Sequence, residues 1–227
     1  MKHPLALARL LQLASPGLPV GAYTYSPGLE WAVESGVVRD EAGAKAWIVG
    51  VLESSFAGME AAMLARLMER WAAGDAPGAA HWNALFLASR ETAELRAETL
   101  QMGYSLTVLL RDSGMVEAER LAPLLAMEQP TFPAAWAFAA TAFSLPPREA
   151  ISAYAWAWLE TQVMAAVKLV PLGQTAGQRV LADLAARIPA LAARALAATE
   201  DTLGNFAPLA AIAGARHETQ YSRLFRS

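Results

Sequence analysis

Three glutamates, Glu91, Glu94 and Glu98, recur at spacings that place them along one side of a predicted helix. Carboxylates grouped in this way can act in general acid–base catalysis. No His or Cys lies near them in the sequence, and Arg90 and Arg96 alternate with them. We therefore interpret the group as a solvated, charge-paired helix face rather than a catalytic one.

Other catalytic or metal-binding signals are weak. The chain has no Cys, and its three histidines, His3, His81 and His217, lie far apart in the sequence. We expect no soft-metal site within one chain, although a metal shared across a symmetric interface stays open. No Ser/His/Asp arrangement is recognisable. Nothing in these residues argues for an enzyme.

The run Gly173-Gln174-Thr175-Ala176-Gly177 faintly resembles a phosphate-binding loop. It lacks the lysine and the spacing of a P-loop, and no strand precedes it. We favour a helix–helix corner whose glycines permit close backbone approach.

Two charges, Glu160 and Lys168, fall within the otherwise apolar stretch 151–170. A buried charge must be paired or must reach solvent. For Glu160 we favour a structural polar contact. For Lys168, a side chain that extends to solvent and a functional role are equally supported.

The stretch 151–170 is apolar on nearly every side, which is typical of a buried helix. We predict a central helix over about 147–170, around which the other helices pack. Its length would also suit a membrane span. We reject that alternative because Glu160, Thr161 and Gln162 lie mid-segment, and because Tyr and Trp cluster inside it.

The residue pattern in the rest of the chain also predicts helices. Alanine is frequent, and no segment alternates apolar and polar residues as a strand would. The expected fold is an all-α, single-domain bundle over 1–214, followed by a tail over 215–227. In the tail, Tyr221, Leu224 and Phe225 would share one apolar face if it became helical. The other predicted helices cover 4–14, 27–35, 40–56 with an extension to 73, 79–88, 91–112, 117–127, 134–143, 175–187, 190–202 and 205–213.

The composition narrows the function classes. Hydrophobic residues make up 55% of the chain and charged residues 17%, with a net charge of −3. Without a basic face, general nucleic-acid binding is not expected. So few charges must leave apolar surface exposed, which is typical of partner interfaces. The start of the chain has no signal-peptide pattern, so we expect a cytoplasmic protein.

Four stretches, taken in order, resemble the UreF family of urease accessory proteins. They are LQLASPGLPVGAYTYSPGLEWAVESG (11–36), RETAELRAETLQMGYSL (90–106), KLVPLGQTAGQ (168–178) and TQYSRLFRS (219–227). The first stretch and the two last ones are specific to the family. One departure is Tyr23 to Pro27, where the family commonly has Phe-Ser-Tyr-Ser and then His or Gln.

The resemblance implies an all-helical, dimer-forming protein with no catalysis, cofactor or metal site of its own. Such proteins join the UreD/UreH accessory protein and the GTPase UreG on the urease apoenzyme. The assembly supports carbamylation of the active-site lysine and nickel insertion, coupled to GTP hydrolysis. No nucleic acid or membrane is involved. The resemblance also implies that the tail becomes ordered when it meets UreD/UreH.

Candidate partner-binding residues follow from the matched stretches. The tail residues Tyr221, Arg223, Leu224 and Phe225 are assigned to the UreD/UreH side. A second set is assigned to the GTPase side or the dimer contact: Tyr25, Glu30, Lys168, Gln174, Gln178 and Arg179.

Two alternatives remain. An arginine finger, from Arg179 or Arg223, could stimulate GTP hydrolysis directly. A ligand pocket lined by Trp136, Trp156 and Trp158 is also possible, although such residues more often belong to a core.

Overall fold

The computed structural model describes residues 4–227, so His3 lies outside the described part. Within residues 4–227 the chain forms helices and no strand, which confirms the predicted all-α class. Two short 3-10 turns cover Ala22–Thr24 and Glu200–Thr202. The α-helices are α1 (Ala6–Ala14), α2 (Leu29–Glu34), α3 (Glu41–Val51), α4 (Ala61–Ala72), α5 (Ala76–Ala88), α6 (Ala93–Asp112), α7 (Ala118–Leu125), α8 (Phe132–Ala142), α9 (Pro147–Leu169), α10 (Gln174–Ala185), α11 (Ile188–Ala197) and α12 (Pro208–His217).

Helix α9 occupies the predicted central position, since α1, α2, α3, α4, α10 and α11 all pack against it. It is less completely buried than its composition suggested. Trp156 and Met164 are exposed, and Glu160 lies between them on the same helix face. The fully enclosed helix is α8, in which eight of eleven residues are buried. Its Ala-rich sequence explains this, because small side chains let α4 and α6 approach closely from either side.

The long helix α6 lies along α8 through a seam of buried side chains. Thr99, Met102, Leu106 and Leu110 are buried there, whereas Leu95 and Leu109, whose spacing also predicts a place in the seam, are half-buried. Gly103 is required at the crossing, because a Cβ at this position would overlap the backbone of the segment leading into α8. The close approach of the two backbones therefore depends on one glycine.

Helices α3 and α4 are joined by a π-helical segment, Leu52–Glu60, into one continuous helix. The glycine at position 58 thus lies in a local widening of the helix rather than at a break. Such segments often occur at functional sites. Here the carbonyls of Ser54 and Gly58 accept hydrogen bonds from the backbone N–H groups of Phe206 and Gly204. A Cβ at Gly58 would lie 2.7 Å from the carbonyl oxygen of Gly204, so only glycine admits this contact.

The starts of α3 and α6 follow local capping rules. Asp40 accepts a hydrogen bond from the Gly43 N–H, and Thr92 caps α6 in the same way. Ser26 is a good N-cap by residue type, but it does not occupy the cap position of α2. This helix begins at Leu29, after Gly28 in the left-handed conformation.

One helix among the described residues, Glu41–Ala72, is long and apolar enough to cross a membrane. Half of its apolar window is buried inside the protein, and the core helix of a soluble protein meets the same criteria. Helix α9, the segment for which a membrane span was rejected above, is not among the candidates.

The glycine at the α6–α8 crossing provides a stability test. We expect Gly103→Ala to lower the free energy of unfolding by about 2–3 kcal/mol, as overpacking of a core does. The matched control is Gly50→Ala on α3, where a Cβ meets nothing within 4 Å. That change should raise the stability by about 0.5–1 kcal/mol through helix propensity. Urea denaturation of both variants measures the difference, and equal effects would contradict the assigned packing.

Candidate functional site

The tail (residues 215–227) lies against the body of the protein. Its first residues complete α12, which ends at His217, so the predicted boundary at 214/215 falls inside a helix. Residues 218–227 then continue without helix and run back across α2 and α6. The site is therefore built from the carboxyl-terminal residues and the two helices beneath them. Whether a partner orders the tail stays a prediction.

Glu30 is the main contact of the tail with α2. Its side chain is buried, with 7% of the residue's surface exposed. The Leu224 N–H donates to Oε1 at 2.6 Å, and the Phe225 N–H donates to Oε2 at 2.8 Å. A buried carboxylate is tolerated only when hydrogen bonds compensate it. Two consecutive backbone amides of the tail supply that compensation.

The fully buried ring of His217 lies between two glutamates. Its Nε2 is 3.2 Å from Glu30 Oε2, and its Nδ1 is 2.7 Å from Glu94 Oε2. Arg223 donates to the other oxygen of Glu94 at 2.7 Å. The two carboxylates face opposite sides of the ring, so the three residues do not converge on one point. Among the described residues, no group of His, Asp and Glu is arranged to hold a metal ion.

The last residues of the tail pair with the segment before α2. The Arg226 N–H donates to the Thr24 carbonyl at 2.8 Å. Both the backbone N–H and the hydroxyl of Ser26 donate to the Ser227 carbonyl. The Ser227 hydroxyl in turn donates to Glu98 Oε2 at 3.1 Å. The Ser26 hydroxyl also accepts a hydrogen bond from the Glu30 N–H at 3.4 Å, so it connects the tail with the first turn of α2.

Ser227 also borders a cavity of about 130 Å³ between the tail, α1, α6 and α9. Its polar wall contains Glu60, Arg90 and Glu98. Glu60 accepts a hydrogen bond from the Tyr154 hydroxyl at 2.5 Å and pairs with Arg90 at 3.5 Å. One guanidinium thus faces two carboxyl groups, which leaves an excess of acidic groups in the cavity wall.

Burial, more than the excess of acidic groups, shifts the titration of Glu98 in the cavity wall and of Tyr25 nearby. Burial, and then the neighbouring charge of Glu60, raise the pKa of Glu98 to about 8. The bond from Ser227 and the charge of Arg90 oppose this shift. Burial also raises the pKa of Tyr25, with a further contribution from Glu98. Near neutral pH the Glu98 carboxyl is therefore mostly protonated.

The predicted tail residues divide into two sets. Phe225 is buried, and the Lys168 ammonium lies 5.5 Å from the centre of its ring. Tyr221 and Leu224 are exposed, at 105% and 66%. The apolar face expected of these three side chains if the tail became helical is not formed here, because residues 218–227 are not helical; Phe225 is buried and Leu224 is exposed.

The predicted GTPase-side residues do not form one patch. Tyr25 and Glu30 are buried beneath the tail, whereas Gln174, Gln178 and Arg179 are exposed on α10. Arg179 pairs with Glu41 at 3.1 Å. Gly177 packs tightly on Val167 of α9, which supports the helix-corner interpretation of this segment.

Two predictions about side chains are corrected by the packing. Glu94 and Glu98 do not belong to a solvated face, because the tail covers them; of the three glutamates only Glu91 is exposed. Trp136 and Trp158 line the cavity described above, whereas the third residue predicted for such a pocket, Trp156, faces solvent.

Sequence reasoning missed the role of His217, because its partners are more than a hundred residues away in the sequence. Glu160 is half-buried with its pKa raised by burial, and no hydrogen bond of its side chain appears among the described residues. The structural contact expected for it is therefore not seen.

The raised pKa of Glu98 makes the stability depend on pH. The folded state keeps the proton up to about pH 8, whereas the unfolded chain releases it near 4.5, so stability falls as pH rises between these values. Glu98→Gln has no such proton to lose, so its free energy of unfolding should not fall in this way. Relative to the parent, the free energy of unfolding of the variant should be about 1–3 kcal/mol more favourable at about pH 8 than at about pH 5. Urea denaturation at both pH values measures the gain. Glu91→Gln, at an exposed position, is the control and should show none.

Comparison with known proteins agrees with the resemblance of the four stretches. A family model described as UreF matches residues 38–185. A urease accessory protein UreF of Azoarcus sp. (strain BH72) is 60% identical, over 98% of this chain and 96% of that protein. Another, of Dechloromonas aromatica (strain RCB), is 56% identical over the full length of both chains. A bifunctional urease accessory protein UreEF of Bordetella bronchiseptica is 50% identical over 97% of this chain and 52% of that protein. The chain belongs to the UreF family of urease accessory proteins.

Proposed function

We propose that this protein is a non-enzymatic assembly factor in urease maturation. It joins a UreD/UreH-like accessory protein and a UreG-like GTPase on the urease apoenzyme. Within that assembly it supports lysine carbamylation and nickel insertion, coupled to GTP hydrolysis, and holds no cofactor or metal of its own. The names of the relatives support the accessory role.

The observation that carries the proposal is that the tail exposes two large apolar side chains on the protein surface. Tyr221 and Leu224 are large apolar side chains that are exposed on a segment fixed from behind by buried hydrogen bonds. Aromatic and large aliphatic anchors of this kind commonly dominate binding energy in interfaces. Because the backbone is already held, little conformational entropy is lost on association. The UreD/UreH-like partner is assigned to this surface.

The GTPase-side surface is assigned to the exposed residues Gln174, Gln178 and Arg179 on α10, with Lys168 at the end of α9. Lys168 links the two surfaces, since it also contacts Phe225 of the tail. Tyr25 and Glu30 act on the partners through the tail that covers them rather than by direct contact.

The cellular setting belongs to the same proposal. We assign a homodimer in the cytoplasm, with no nucleic-acid or membrane partner. The net charge of −3 supports the exclusion of nucleic acid, because a phosphate backbone is bound by a basic face.

Removal of the tail surface tests the assignment. Deleting residues 219–227 should abolish co-purification with the UreD/UreH-like partner. The double substitution Tyr221→Ser with Leu224→Ser keeps the buried contacts and should weaken binding on the order of tenfold or more. Leu125→Ser, at an exposed leucine on α7, is the control. Undiminished co-purification of the deleted chain, with its helical circular dichroism preserved, would refute the tail assignment.

A second candidate function is direct stimulation of the GTPase by an arginine finger. The observation that favours it is the exposure of Arg179 and Arg223, whose side chains are 62% and 42% accessible. Both guanidinium groups are paired, with Glu41 and Glu94, so either would have to leave its carboxylate to reach a phosphate.

Single-turnover GTP hydrolysis by the partner distinguishes the two functions. An arginine finger would accelerate hydrolysis by about 10³–10⁵, and Arg179→Ala or Arg223→Ala would remove the acceleration. For a scaffold we expect no acceleration of that size, and both variants should leave the hydrolysis rate unchanged. An arginine-dependent acceleration would replace the scaffold interpretation.

A further inference from the structure

We propose that Glu30 is a positioning residue, which fixes the tail in the conformation that the partner binds. This inference rests on the proposed function, in which Tyr221 and Leu224 contact the partner. Glu30 is buried on α2 and is not part of the surface formed by Tyr221 and Leu224, but it would set the geometry of that surface.

The first argument is that the two oxygens of the Glu30 carboxylate accept hydrogen bonds from two different amides of the tail. Leu224 donates to Oε1 and Phe225 donates to Oε2, so each oxygen holds a different residue of the tail. With its amide held in this way, Phe225 is buried against Lys168, whereas the side chain of Leu224 is exposed. In Glu30→Gln, one of the two acceptor oxygens becomes an NH2 donor that faces a backbone N–H, so one of the two tail amides loses its acceptor.

The second argument is the burial of the charge together with His217. Glu30 Oε2 also faces Nε2 of this ring, whose Nδ1 faces Glu94. The ring can donate to both carboxylates only when each nitrogen carries hydrogen. Arg223 adds a further donor to Glu94. The network thus connects α2, α6, α12 and the tail, and each member compensates a buried charge of another.

The third argument is that, among the described residues, Glu30 is the only group of the body that bonds to the tail backbone between residues 221 and 225. Before this stretch, Glu218 accepts hydrogen bonds from the amides at the start of α6, and beyond it Arg226 and Ser227 are bonded to the body as described above. Within it, the side chain of Arg223 pairs with Glu94, while Tyr221 and Ser222 are exposed. Without Glu30, the stretch would keep this one side-chain pair, and its backbone could take more than one orientation toward a partner.

The test uses the full-length chain and hydrogen exchange of individual amides. In the parent protein, the amides of Leu224 and Phe225 should exchange more slowly than that of Ser222. Glu30→Gln should speed exchange at both by about tenfold or more, with little change in the buried helices α4 and α8. Glu34→Gln, one turn further along α2 and exposed, is the matched control and should change nothing. If Leu224 and Phe225 exchange as fast as Ser222 in the parent protein, the proposal is overturned, whether or not the Glu30→Gln variant folds.

Affinity for the partner supplies the second measurement. We expect the partner to bind the tail conformation that is bonded to Glu30. If Glu30→Gln reduces the population of that conformation about tenfold, the apparent affinity for the partner should weaken about tenfold. Equal or tighter binding by a variant with a loosened tail would sink the positioning role. The proposed function would survive that result, because it fails only if the chain lacking residues 219–227 still binds the partner.

Discussion

The arrangement of the functional surface depends on the cost of burying a carboxylate. Glu30 is enclosed by the tail and α12, away from water, and it must receive hydrogen bonds there. The amides of Leu224 and Phe225 donate to it, and Nε2 of the His217 ring lies 3.2 Å from one of its oxygens. Because the amides belong to the end of the chain, satisfying one side chain on α2 determines where the last residues lie. The exposure of Tyr221 and Leu224 follows from that arrangement.

The same end of the chain is connected to the interior through Glu98. Ser227 donates to this carboxyl, which shares the cavity wall with Glu60 and its partners Arg90 and Tyr154. Glu60 is the last residue of the π-helical segment. The wall of this cavity therefore brings together the end of the tail, Glu98 on α6 and the irregular part of the longest helix. These polar groups lie in a protein that is otherwise held together by close apolar packing around α8 and α9.

Much of the architecture was predictable because it is encoded locally. The Ala-rich composition, the helical spacing of apolar residues and the capping residue Asp40 depend on neighbours within one or two turns. Where prediction failed, a distant contact overrode a local preference. Ser26 is a good N-cap by type, yet it binds Ser227. Glu94 and Glu98 look like a solvated face, yet the tail covers them.

The sequence by itself determined the all-α class, the central place of α9 and membership of the UreF family, through periodicity and through motifs readable in order along the chain. Only the tertiary structure decided which of the candidate residues belong together. Glu30, Glu94 and His217 are separated by long stretches of sequence, and no local pattern specifies that they meet. Their meeting follows from the packing of α12 on α2, where Gly28 lets the helices approach: a Cβ there would lie 3.0 Å from the Cβ of Ala213. Long-range apolar packing thus brings the charges together, and the cost of leaving them unpaired then fixes the end of the chain.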